Sequence, residues 1–219
     1  MNPSAQEEIQ SDPRWPAAVA IAAVALLNMV LPEQLSAGPF WLLLVIVGLL
    51  AIPLTLTHWL GRHGLNQKLG LATLSVVTAF LVYSVGALIR AMIEHRETPA
   101  KLLVSAAILW FSNILVFASW YWRLDAGGPH ARTARPGHTH GAFLFPQMTM
   151  SEKERAHAGF GNWRPGFMDY LFLAFNTSTA FSPTDVPVLS RWAKAMMMVQ
   201  SLLSLATIAL LAARAVNIL

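Results

Sequence analysis

The segment Tyr170–Thr184 reads Tyr-Leu-Phe-Leu-Ala-Phe-Asn-Thr-Ser-Thr-Ala-Phe-Ser-Pro-Thr, so that apolar and aromatic residues give way to closely spaced hydroxyls. Asn176, Thr177, Ser178, Thr179 and Ser182, with Ala180 and Phe181 between them and Asp185 just beyond, could line a wet path or a packed protein interior. In lipid they would be unsatisfied donors and acceptors, each of which is costly where no water reaches. Asp169 stands near the start of the segment, where a carboxylate complements the positive end of a helix dipole. The segment is too short and too polar for a full crossing. The expectation is a helix that enters the membrane part-way and turns back, enclosed by other helices or by neighbouring subunits.

Other side chains could carry chemistry. Four of the seven histidines, His130, His138, His140 and His157, fall in one loop, and His138-Thr-His140 could offer two imidazoles to a divalent metal. No third ligand stands at a fixing distance, and the alternative is that these histidines solvate the loop or respond to pH. Asn28, Asn113, Gln200 and Arg214 are polar groups inside apolar stretches, and each is a functional candidate by default. Asn113 and Gln200 are expected to bond across helices, while Arg214 lies near a membrane face. The run Met196–Met198 points around a helix and reads as packing. Nothing assembles a catalytic set, a phosphate-binding glycine loop or a His-Glu-x-x-His pair, so neither an enzyme nor a cofactor is expected. Cysteine is absent, which excludes disulfides and thiolate chemistry.

The elements that must position these residues are five stretches without a charged side chain: Pro16–Pro32, Pro39–Thr57, Leu69–Ile89, Leu102–Trp122 and Ala195–Ala213. A helix needs about 20 apolar residues to cross about 30 Å of hydrocarbon, and all but the first meet that comfortably. Of the 219 residues 55% are hydrophobic and 12% charged, against about 25% charged in ordinary soluble domains. The fold class expected is therefore an all-α polytopic membrane bundle, with five transmembrane helices and a short re-entrant helix before the last.

The chain divides into a polar tail at 1–15, a four-helix region at 16–122, an extramembrane loop at 123–165 rich in His, Gly and Pro, and a closing module at 166–219. The tail carries Glu7, Glu8 and Asp12 against Arg14, the wrong charge for a secretory leader, so the first span is expected to be retained. Glu33–Gly38 makes a tight hairpin, and His58–Lys68 a polar turn. Arg90 with Glu94 and Glu97 with Lys101 are spaced as helix-end pairs. Trp120-Tyr121-Trp122-Arg123 is expected at headgroup level. Within the loop, Phe143-Leu-Phe145-Pro146 could dock on the bundle or the membrane interface, and a short helix over Met150–Ala158 could be capped by Ser151 with Glu154 at its third position.

The order of loop, short aromatic helix, Thr-Ser-Thr-Ala-Phe-Ser turn, Asp and closing span resembles the pore module of the potassium-channel superfamily. The resemblance places Thr177, Ser178, Thr179, Ala180, Phe181 and Ser182 at filter positions, where backbone carbonyls replace an ion's water shell. Both filter glycines are replaced, by Ala180 and Ser182, which resist the backbone angles a carbonyl ladder needs. The stretch Trp163–Leu219, with its ending Ala-Ala-Arg-Ala-Val-Asn-Ile-Leu, is also similar to uncharacterised bacterial multi-pass membrane proteins of the domain-of-unknown-function kind.

With five spans and the N-terminus inside, eleven basic residues fall on the cytoplasmic side and four outside, which favours a cytoplasmic 124–165 loop. Six spans give ten to five, and charge does not separate the two arrangements. The net charge of +4 reports these orienting loops, and no basic patch interleaved with aromatics suggests nucleic acid. The functional expectation is an ion-channel-like protein of the bacterial inner membrane. It would be a weakly selective monovalent cation pore lined by Thr177–Ser182 with Asp185, formed by a homo-oligomer and tetrameric if a channel. The alternative is a non-conducting membrane scaffold or accessory protein in which the same segment packs.

Overall fold

In the computed structural model the described residues are 13–94, 97–135, 138, 140–161, 163–180 and 185–216, with side chains through 213. The chain is all-helical, and four of its helices are long and apolar enough to cross a membrane. In chain order the helices are α1 (Trp15–Val30), α2 (Leu42–Trp59), α3 (His63–Ile93), α4 (Pro99–Leu124), α5 (Pro129–Thr133), α6 (Pro146–Thr149), α7 (Glu152–His157), α8 (Phe167–Ala180) and α9 (Arg191–Val216). The four long ones are α2, α3, α4 and α9. At 1.5 Å per residue the 16 residues of α1 reach about 24 Å, short of the hydrocarbon thickness. The 14 residues of α8 reach about 21 Å.

α4 is the hub. It packs against α9, α8, α3 and α1, while α2 packs mainly against α3 and α1. Buried residues make up 67% of the apolar window of α4 and 11% of that of α2, so α2 lies at the periphery of the bundle. Its exposed Leu49, Ile52 and Leu56 need no protein partner if lipid covers them. In the Trp120–Arg123 cluster Tyr121 and Trp122 are buried in the bundle, because the loop and α8 fold back over the end of α4.

Two connections are tighter than the sequence suggests. The turn after α2 closes within Leu60–Arg62, and α3 begins at His63, so most of the anticipated polar turn is helical. After α4 a single 3-10 turn, Asp125–Gly127, reverses the chain. Gly128 follows at φ +92°, where an added Cβ would lie 2.9 Å from the Arg123 carbonyl oxygen, so only glycine fits.

The 124–165 loop is held from both sides. Phe143 and Phe145 dock as expected and are buried among Tyr121, Tyr170, Trp163 and Trp192. A one-residue bridge pairs Phe143 with Val188, flanked by Leu144 N–H to Pro187 O (2.9 Å) and Leu189 N–H to Ala142 O (2.8 Å). These bonds tie the loop to the segment entering α9. α7 carries the anticipated capping box: Ser151 Oγ accepts from Glu154 N–H, and the Glu154 carboxylate accepts from Ser151 N–H. Of the helix-end pairs, Glu97 and Lys101 meet at 3.2 Å.

Candidate functional site

The residues singled out for a pore are divided by the fold. Thr177, Ser178, Thr179 and Ala180 continue α8 as regular helix, so the extended turn expected of a filter is absent at these positions. The Thr177 hydroxyl donates back to Leu173 O (2.8 Å), and that of Thr179 to Phe175 O (3.0 Å). Each hydroxyl thereby satisfies itself on its own helix, as threonine does in apolar surroundings. Carbonyls engaged along a helix axis do not converge on an ion. Phe181 and Ser182 lie outside the described residues. Asp185, Thr179 and Ala180 are exposed, Asn176 is half-buried, and Thr177 and Ser178 are sealed inside the chain.

What seals them is a hydrogen-bonded junction of α4, α8 and α9 centred on Gln200. Its side-chain carbonyl accepts from the Tyr121 hydroxyl (2.5 Å), and its amide donates to Ala174 O (2.7 Å) and Ser178 Oγ (2.8 Å). Both amide hydrogens are then used, together with one of the two acceptor positions of the carbonyl oxygen. One turn further along α9, the Ser204 hydroxyl donates to Ser178 O (2.7 Å) and accepts from Trp110 Nε1–H (3.0 Å). Asn113 Nδ2 donates to the backbone oxygen of Gln200 (3.1 Å), and its Oδ1 has no partner among the described residues. The cross-helix role read for Asn113 and Gln200 is thus present. Its partners Tyr121, Ser178, Ser204 and Trp110 become recognisable only once α8 is laid between α4 and α9.

A second buried knot lies where α4 meets the loop, and the sequence reading missed it because Asp125 looks like an ordinary turn former. Asp125 has no exposed surface. Its Oδ1 accepts from Ala142 N–H (2.5 Å) and its Oδ2 from the Tyr170 hydroxyl (2.6 Å), joining the start of α8 to the end of α4. Arg132 donates to Trp122 O (2.6 Å) and Asp125 O (3.0 Å), with its guanidinium 5.8 and 5.2 Å from the ring centres of Trp122 and Tyr170. Gly141 passes so close that an added Cβ would stand 2.9 Å from Asp125 Oδ1.

His138 belongs to this knot, which corrects its expected role in solvating the loop. It is buried against Phe145 and Trp163, with Nε2 3.6 Å from Asp125 Oδ2, beyond hydrogen-bond range. Burial holds its pKa below the ordinary histidine value; Asp125 opposes that effect, and Arg132, Arg135 and Arg164 add to it. His140 is exposed, and no group of three or more His, Asp or Glu side chains able to hold a metal occurs among the described residues. Elsewhere His130 stacks on His63 with ring centres 3.5 Å apart, and its pKa is lowered by burial and by neighbouring His63, Arg14 and His58. Met197 is buried while Met198 is exposed, as expected for residues pointing around a helix.

Comparison with protein-family models, with curated proteins and with solved structures finds no match to this chain.

Proposed function

We propose that this protein is a non-conducting scaffold or accessory protein of the bacterial inner membrane, in which α8 braces the bundle. The observation that carries this reading is the use made of Gln200: its side chain forms three hydrogen bonds inside one chain, to Tyr121, Ala174 and Ser178, and so packs the hydroxyl-bearing end of α8 between α4 and α9. Groups engaged in this way hold helices together. The loop acts as a plug over the same end, clamped by Asp125, Arg132 and Phe143. The charge bias supports a cytoplasmic loop.

One observation favours a second reading, a weakly selective monovalent cation pore between several copies. Thr179 and Ala180 are exposed at the end of α8, which also exposes Phe172 and Phe175, so polar and apolar contact surfaces lie together on this helix, and Asp185 is exposed further along the chain. Liposome flux separates the two. Protein reconstituted at known oligomeric state in nanodiscs and then in vesicles should pass neither potassium nor sodium above empty vesicles under varied voltage and pH. Cation flux from a tetramer that Thr179→Val alters without loss of thermal stability would replace the scaffold reading with the pore.

A further inference from the structure

A cleft of about 230 Å³ opens between α1, α2, α3 and α4 at the end where α1 begins and α4 finishes, and its chemistry is divided along its length. The body is apolar, lined by Ile21, Val47, Leu54 and Leu74; the mouth holds Arg14, His58 and Arg123. From Arg14 to Ile21 along α1 is about 10 Å, and from His58 to Val47 along α2 about 16 Å. The volume exceeds the apolar cavity of about 150 Å³ that takes up a benzene ring, so a length of alkyl chain fits.

The decisive group is Arg123. Its Nη2 donates to the backbone oxygen (2.5 Å) and to Oδ1 (3.3 Å) of Asn66, while its Nε is buried with no hydrogen-bond partner. Among the described residues no carboxylate stands within ion-pair distance of it. Its guanidinium lies directly on Gly70, where an added Cβ would sit 1.8 Å from Cζ. Gln67 fixes the end of α4 by donating to Arg123 O (2.8 Å), and the Asn66 amide donates to Leu54 O (2.7 Å) on α2. Three helices thus position a half-buried cation above an apolar slot. Arg14 joins it at the mouth, its Nη1 2.8 Å from His58 Nδ1.

A permanently charged guanidinium without a counter-ion, at the boundary of a membrane bundle, is complementary to an anionic headgroup, and basic pockets between membrane helices bind such headgroups. We propose that this cleft is a binding site for one anionic phospholipid of the surrounding bilayer. The phosphate lies at Arg123 with Arg14 and His58 beside it, and one acyl chain follows Ile21, Val47 and Leu54 into the bundle. Phosphate suits the fork of donors on arginine, and the open side of the cleft lets the second chain remain in the membrane. The site is independent of whether the protein conducts ions, because none of these residues belongs to the α8 segment.

The test uses full-length protein in a non-ionic detergent. Dioleoyl phosphatidylglycerol, dioleoyl phosphatidylcholine or oleate is added, thermal unfolding is followed, and bound lipid is counted by native mass spectrometry. Phosphatidylglycerol should raise Tm and persist as a single adduct, whereas phosphatidylcholine at equal concentration should do neither. Arg123→Gln should weaken phosphatidylglycerol binding at least tenfold. Because Arg123 also holds Asn66, Ala18→Phe provides a second route: it puts a ring into the cleft from an exposed position of α1 and should cause a similar loss. Arg62→Gln, on the exposed turn outside the cleft, should leave binding unchanged. Equal shifts with both phospholipids, or full phosphatidylglycerol affinity in both Arg123→Gln and Ala18→Phe, would overturn the site. Stabilisation by oleate with none by phosphatidylglycerol would overturn the phospholipid assignment.

Discussion

Replacing Gln200 with leucine tests whether the α4–α8–α9 junction is what holds the short helix in place. Leucine roughly conserves volume and removes three bonds, to Tyr121, Ala174 and Ser178. At about 0.6 to 2 kcal/mol for each interhelical bond in a membrane bundle, the loss is roughly 2 to 6 kcal/mol. Removing a buried amide returns part of this, so the net destabilisation expected is about 2 to 4 kcal/mol. The bond from Asn113 survives, since it ends on the backbone of residue 200. Tyr121→Phe alone removes one bond and should cost about 1 kcal/mol. The two changes together should cost less than their sum. In Gln200→Leu the fully buried Tyr121 hydroxyl is left without an acceptor, and that penalty disappears when the hydroxyl is removed as well. Unfolding in mixed micelles of rising sodium dodecyl sulfate, read by tryptophan fluorescence, measures all four members of the cycle. A Gln200→Leu protein within about 0.5 kcal/mol of the parent, or single costs that simply add, would refute the idea that this junction anchors α8.

Protonation of His138 should weaken the fold. Its folded-state pKa lies below the ordinary value near 6.5, so its contribution is complete above about pH 6.5 and is lost as pH falls through the lowered value. Tm measured from pH 7.5 down to 5 should drop more in the parent than in His138→Gln, and equal slopes would rule histidine out as the source. Gly70→Ala should destabilise by about 1 to 3 kcal/mol, because the new methyl overlaps the Arg123 guanidinium; Gly48→Ala, with open space around it, is the control in the same melting experiment. Single cysteines at exposed Lys153 and Gln34 should label oppositely with an impermeant maleimide in intact cells, position 34 from outside; labelling of position 153 from outside would reverse the orientation. Ser36 would be a poor site for that purpose, being buried beside Asn28.

Charge-free stretches and their bounding prolines and glycines were enough to identify the long helices α2, α3, α4 and α9, because length and apolar content are local properties of the chain. The same holds for the Ser151–Glu154 capping box and for the docking of Phe143 and Phe145. Asn113 and Gln200 were legible as cross-helix groups because a polar side chain in an apolar run has few other partners. Only the tertiary structure decided which surface of each helix turns inward. Lipid is as apolar as a protein core, so a span such as α2 or α3 carries no strong polar stripe to mark its buried face. For that reason Tyr121 and Trp122 read as interfacial residues and are buried, and Thr177–Ala180 read as a turn and are helix. Asp125 meets Tyr170 across 45 positions, and Arg123 meets Asn66 across 57. Such pairings follow from the packing of α8 and α3 on α4, and no local pattern of residue types encodes them.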